Sequence, residues 1–100
     1  MANVDPQAIP GYGGKKTITP IATVGNTAVE LVAVNGRRSA CEIQNLGTTD
    51  LWLGVDNTVD ATNGYKLGAG LSYYDPHSVD AWWGYQATSA GDVRVIEVTH

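Results

Sequence analysis

Phenylalanine is absent from this 100-residue chain, cysteine and methionine occur once each, and histidine occurs twice. The single cysteine, Cys41, excludes an intrachain disulfide. It sits in an alternating apolar run, which predicts a small buried side chain rather than a nucleophile. With two histidines and no recognisable catalytic motif, the sequence predicts no enzyme, no metal and no cofactor. No apolar run approaches about 18 residues and no basic segment followed by an apolar one opens the chain, so neither a membrane span nor a secretory leader is expected. Synthesis in the cytosol follows as the expectation. No Asn-x-Ser/Thr acceptor occurs. Basic charge is also scarce. Six Lys and Arg face ten Asp and Glu, for a net charge of −4 and a pI near 4.8, which argues against a nucleic-acid binder. The few cations are unevenly placed. Lys15, Lys16, Arg37 and Arg38 outweigh Asp5 and Glu30 up to residue 41, whereas acids dominate from Glu42 onward.

What remains is β-rich. Short Val, Ile, Thr, Trp and Tyr runs recur at intervals of about ten residues between Gly, Asn, Asp and Pro clusters, and no stretch of helical length shows a 3.6-residue period. The pattern predicts about eight short strands in one all-β domain, an antiparallel sandwich or barrel, jelly-roll-like. Residues 1–16, with Pro6, Pro10, Gly11, Gly13 and Gly14, read as an extended N-terminal arm, and residues 17–100 as the β-sandwich domain. Pro20 predicts an edge strand or a bend. Asn35-Gly36 reads as a hairpin turn between Thr27–Val34 and Arg38–Asn45, with Arg37 and Arg38 at its exposed tip. Both faces of Thr27–Val34 are largely apolar, so one is expected to be covered by a second subunit or by the arm. Adjacent Val95 and Ile96 point to a bulge or to burial on both faces of the last strand.

Several stretches resemble sites and fall short. Gly11–Lys16 looks like a phosphate loop but has Ile9 in place of the first glycine and Lys16 in place of Ser or Thr. Asp56, Asp60 and Asn63 are oxygen-rich but lack the alternating spacing of a calcium loop, and turn capping accounts for them. Asp75, His77 and Ser78 are triad residue types crowded onto one turn, where they do not converge. Trp52, Tyr73, Tyr74, Trp82, Trp83 and Tyr85 are suited to stacking on a sugar. Trp82 and Trp83 are neighbours in one strand, however, so they face opposite ways and one belongs to the core.

The run Arg37-Arg38, Ile43–Gly47, Leu51–Gly54, Asn63–Gly70 and Gly91–Glu97 resembles small structural proteins of tailed-bacteriophage virions, in particular capsid decoration (cement) proteins and the base domains of head fibres. That resemblance implies a protein on the capsid exterior that stabilises the lattice of the major capsid protein, commonly as a homotrimer and often with an arm in the contact. On that basis Val4, Ile9, Tyr12, Lys15, Lys16, Arg37 and Arg38 are expected to touch the capsid. Val32, Val34, Trp52 and Trp83 are expected at the subunit interface. A neck, tail or fibre-base adaptor of the virion is the alternative, and a small carbohydrate-binding module the second.

Overall fold

The computed structural model describes residues 15–21, 24–76, 78–87 and 91–100. Eight strands follow in order: β1 Lys15–Ile21, β2 Val29–Val32, β3 Arg38–Asn45, β4 Leu51–Gly54, β5 Tyr65–Leu67, β6 Ser72–Asp75, β7 Trp82–Tyr85 and β8 Val93–Thr99. They form two antiparallel four-stranded sheets of order β1-β8-β3-β6 and β2-β7-β4-β5. Pairing β1 with β8, β2 with β7, β3 with β6 and β4 with β5 is a long hairpin rolled over itself, the order of a jelly roll. The expected fold class is therefore the observed one.

Alternation makes the core. Cys41 and Ile43 of β3, Leu51 and Leu53 of β4, Leu67 of β5 and Val93 and Val95 of β8 turn inward and are buried, and Val24, Leu31 and Val32 join them. Each apolar side chain so buried contributes roughly 1.5–3 kcal/mol. Tyr65, Tyr73 and Trp82 close one end of the gap between the sheets, with ring centroids 5.4 and 5.5 Å apart in tilted and edge-on pairs. Pro20 lies in β1, which forms the outer edge of its sheet, where a missing N–H is tolerated.

Two expectations change. Asn35-Gly36 does not make a hairpin, because β2 and β3 belong to different sheets. It is a corner. The Asn35 carbonyl accepts from the Arg38 amide at 3.0 Å and its side-chain Oδ1 accepts from the Arg37 amide at 3.0 Å. Asn35 thus opens the turn instead of occupying its centre, and Gly36 needs no positive φ; Gly70, at φ 81°, does. Apart from the β4–β5 hairpin, every link between successive strands crosses from one sheet to the other. The second change concerns Thr27–Val34. A register shift between Glu30 and Val32 turns both Leu31 and Val32 into the core, and the strand ends before Val34, which is 67% exposed. On β8 the pairing with β1 runs without a break. The irregularity lies across from it, between Arg38 and Ala40 of β3.

Candidate interaction surface

The two outer sheet faces differ in kind. On the β1-β8-β3-β6 sheet one cross-strand row runs Ile18, Ile96, Glu42, Tyr74. Ile18 and Tyr74 at its ends are 65% and 60% exposed. Lys16, Val98 and Ala40 form the row on one side, and Pro20, Arg94, Gln44 and Ser72 the row on the other. Six of the seven residues of β1 are exposed, so this strand reaches beyond the shelter of the second sheet. Glu42, Lys15, Lys16 and Arg37 have no ion pair among the described residues.

The outer face of β2-β7-β4-β5 is aromatic. Trp52 stands opposite Tyr85, and Trp83 stands opposite Gly54 on one side and Glu30 on the other. Lys66 lies beyond Trp52 on β5 and pairs with Asp50 at 3.6 Å. Trp52, Trp83 and Tyr85 are half-buried. Part of their cover is the 55–64 loop, which folds back over the face. Val59 is buried outside the main core. A Cβ on Gly54 would stand 2.4 Å from that of Val59, and one on Gly64 2.8 Å from that of Trp52. Glycine at 54 and 64 is what lets the loop lie flat. A recess of about 160 Å³ opens beside Val59, lined by Gly54, Val55, Asp56, Thr58 and Asn63.

The polar loop is held by its own turns. Thr58 and Thr62 each donate both a hydroxyl and an amide to an aspartate two residues earlier, Asp56 and Asp60. Those bonds, the hydroxyl first and then the amide, lower both carboxyl pKa values from the usual 3.8. Turn capping therefore explains these acids, and among the described residues no group of three His, Cys, Asp or Glu is placed to hold a metal. Burial pushes the Cys41 thiol up, opposed in part by the charge of Arg38, which keeps it protonated and unreactive at neutral pH. Asp75 is buried and accepts from the Ser78 amide at 3.1 Å and from Trp82 Nε1 at 2.9 Å. This leaves the carboxylate capping a turn and fixing the inward Trp82, while Trp83 faces out. His77 lies outside the described residues. His100 Nδ1 is 3.2 Å from Ser39 Oγ, an exposed contact that alternation in the sequence did not flag.

Of the residues expected at an interface, Val4, Ile9 and Tyr12 lie outside the described residues. Lys15 and Lys16 open β1 and are exposed, as is Arg37 on the corner after β2. Trp52 and Trp83 share the aromatic face, and Val34 is exposed. Val32 is corrected: at 9% exposure it packs in its own chain's core and offers little surface to a partner. Arg38 is corrected too. Its side chain is fully buried, because the extra residue at the Arg38–Ala40 irregularity reverses the parity of β3 and turns the guanidinium inward. There Nε donates to the Ser78 carbonyl at 3.1 Å and Nη1 to the Ala33 carbonyl at 3.1 Å, while Nη2 donates to the Asp80 carbonyl. Glu97 stands 3.4 Å away. Arg38 holds corners together; it is no contact residue.

Among the described residues no helix is long and apolar enough to cross a membrane. Comparison with known proteins finds no matching family model, no matching curated relative and no matching solved structure.

Proposed function

We propose that this chain is a structural protein of a phage virion, a decoration protein that binds the outside of the head and stabilises the lattice of the major capsid protein. The observation that carries the reading is β1, a strand exposed over six of its seven residues that begins with Lys15 and Lys16, which have no ion pair among the described residues. A strand so little buried by its own domain is suited to cover by another protein. The jelly-roll order supports the reading only generally, since this architecture also serves lectins and cupins. In the proposal β1, Lys15, Lys16 and Arg37 face the capsid, together with Val4, Ile9 and Tyr12 from the preceding segment. The Trp52, Trp83 and Tyr85 face packs between copies in a homotrimer. A ligand that binds the assembled shell but not free subunits stabilises the shell by mass action. Trimer avidity multiplies individually modest contacts.

Cosedimentation with undecorated heads tests this. Removing residues 2–14, which leaves β1 intact, or substituting Lys15→Glu with Lys16→Glu, should weaken head binding on the order of tenfold or more without changing the unfolding midpoint. Head occupancy unchanged by both would overturn the assignment of β1 and the preceding segment as the contact, and no binding of the unaltered protein to heads would overturn the capsid assignment. Copy number separates the alternative of a neck, tail or head-fibre base adaptor, which occupies one vertex, from decoration, which covers the shell.

The outward Trp52 and Trp83 also support a second reading, a carbohydrate-binding surface on which sugar rings stack. Under it the protein is monomeric in solution and its tryptophan fluorescence responds to a glycan. Trimeric mass with no response across a glycan panel would reject it.

A further inference from the structure

The chain holds two Asn-Gly pairs, Asn35-Gly36 and Asn63-Gly64, and the fold treats them oppositely. An asparagine before glycine loses its side-chain amide when the glycine nitrogen attacks Cγ. The new N–Cγ bond closes a succinimide, the Cγ–Nδ2 bond breaks, ammonia leaves, and water then opens the ring to aspartate or isoaspartate. Reaction needs a glycine nitrogen that is not engaged elsewhere and a side-chain carbonyl turned forward over it and polarised by a donor.

Asn63 is turned the other way. Its Oδ1 accepts from the Asp60 amide at 2.8 Å, its Nδ2 donates to the Thr58 carbonyl at 3.1 Å, and the Gly64 amide donates to the Asp60 carbonyl at 2.9 Å. Both the nucleophile and the electrophile are tied back to the preceding loop. At the other pair, Asn35 Oδ1 accepts from the Arg37 amide at 3.0 Å. That bond folds the side chain forward across Gly36 and polarises its carbonyl. The Gly36 amide has no hydrogen bond among the described residues, and the space where its Cβ would stand is open. The departing nitrogen, Nδ2, donates to Glu97 Oε2 at 3.2 Å.

The geometry points to Asn35 as a deamidation site, with Asn63 protected by the same fold. The product has a consequence at Arg38. A carboxylate at position 35 removes the donor to Glu97 and sets a second negative charge beside it, at the ion pair that Arg38 makes at 3.4 Å. An isoaspartate also lengthens the backbone at the corner that Arg38 fastens. Modification at Asn35 therefore loosens this end of the sandwich with age.

The test is a time course of the folded protein in mildly alkaline buffer, read by peptide mapping for the amide-to-acid mass gain and by an isoaspartate assay. Asn35 should react on the order of tenfold faster than Asn63, and denaturant should bring the two rates together. Gly36→Ala, which the open space accommodates, should slow reaction at Asn35 on the order of tenfold while leaving the unfolding midpoint in place. Equal rates in the folded protein, a ratio that denaturant leaves unchanged, or no slowing in Gly36→Ala would each overturn the assignment.

Discussion

β3 begins at Arg38 and ends at Asn45, and these two buried polar residues close opposite ends of the sandwich by different chemistry. At one end the guanidinium gathers carbonyls from two sheet-crossing links, Ala33 after β2 and Ser78 and Asp80 before β7, and pairs with Glu97. At the other, the Asn45 amide donates to the Thr49 carbonyl at 2.9 Å and the Leu67 carbonyl at 3.0 Å, and its Oδ1 accepts from the Gly47 amide at 3.0 Å. The task is the same at both, since a jelly roll has corners whose backbone groups no sheet neighbour satisfies. The neutral end solves it with no charge to desolvate. The charged end depends on a cation that must be paired to be tolerated in the interior.

Removing the cation is the strongest way to break the symmetry between the ends. Arg38→Met keeps most of the stem, leaves three carbonyls without the guanidinium donor and leaves Glu97 without its ion pair, with only the Asn35 side-chain amide still donating to it. The expected loss is about 3–5 kcal/mol, a large part of the roughly 5–15 kcal/mol that holds such a domain folded. Denaturant unfolding measures it. Arg38→Lys should recover only part, because an ammonium lacks the planar fork. Arg37→Met, at the exposed neighbour, should stay within about 0.5 kcal/mol. Equal losses at 37 and 38 would mean that the inward turn of Arg38 carries no weight.

Asn45→Leu asks the same question at the neutral end. It takes the Asn45 donor from the Leu67 carbonyl and leaves the Gly47 amide unpartnered, while the Thr49 carbonyl keeps the Gln86 Nε2 donor at 3.2 Å, at a cost of about 2–3 kcal/mol by the same unfolding measurement. A loss as large as that of Arg38→Met would show that charge adds nothing to what the hydrogen bonds do.

The asymmetry was only half legible in the sequence. Asn45 falls on the inward parity of Cys41 and Ile43, so its burial follows from counting alternate residues. Arg38 falls on the outward parity of Ala40 and Glu42, and only the irregularity at Arg38–Ala40 reverses it. A one-residue bulge leaves no compositional mark in a run such as Arg-Ser-Ala-Cys. Val32 was hidden for the same reason, since the shift between Glu30 and Val32 buries consecutive residues. Asn35-Gly36 misled differently. Asn and Gly favour tight turns whether the chain then pairs with the strand it has just left or crosses to the other sheet, and partner choice is set by tertiary packing. Strand number, the edge position implied by Pro20 and the opposite facings of Trp82 and Trp83 were legible because each follows from local geometry alone. The aromatic face could be read as residue types but not as a surface, since Trp52, Trp83 and Tyr85 come together only through the β4–β7 register.

The smallest expected effect sharpens the comparison through pH. The 55–64 loop hangs from the Arg38 end, and its Asp56 and Asp60 carboxyls are held below the usual value of 3.8 by the hydroxyls and amides of Thr58 and Thr62. A carboxyl whose pKa is lower in the folded state adds stability above its unfolded pKa. That contribution fades as pH falls through the folded value. Acidification should therefore loosen this loop below the ordinary carboxylate range, whereas the neutral Asn45 bonds do not titrate. Carboxyl titration by NMR should show both aspartates ionising below 3.8. Amide protection, taken relative to the intrinsic exchange rate at each pH, should fall at Thr58 and Thr62 on the acid limb and remain flat at Gly47. Asp56→Asn with Asp60→Asn should flatten that limb, since an amide oxygen still accepts from the threonine but carries no proton equilibrium. Parallel acid responses at Thr58 and Gly47 would mean that the two ends loosen as one unit and that the charged chemistry of the first end is incidental to its response.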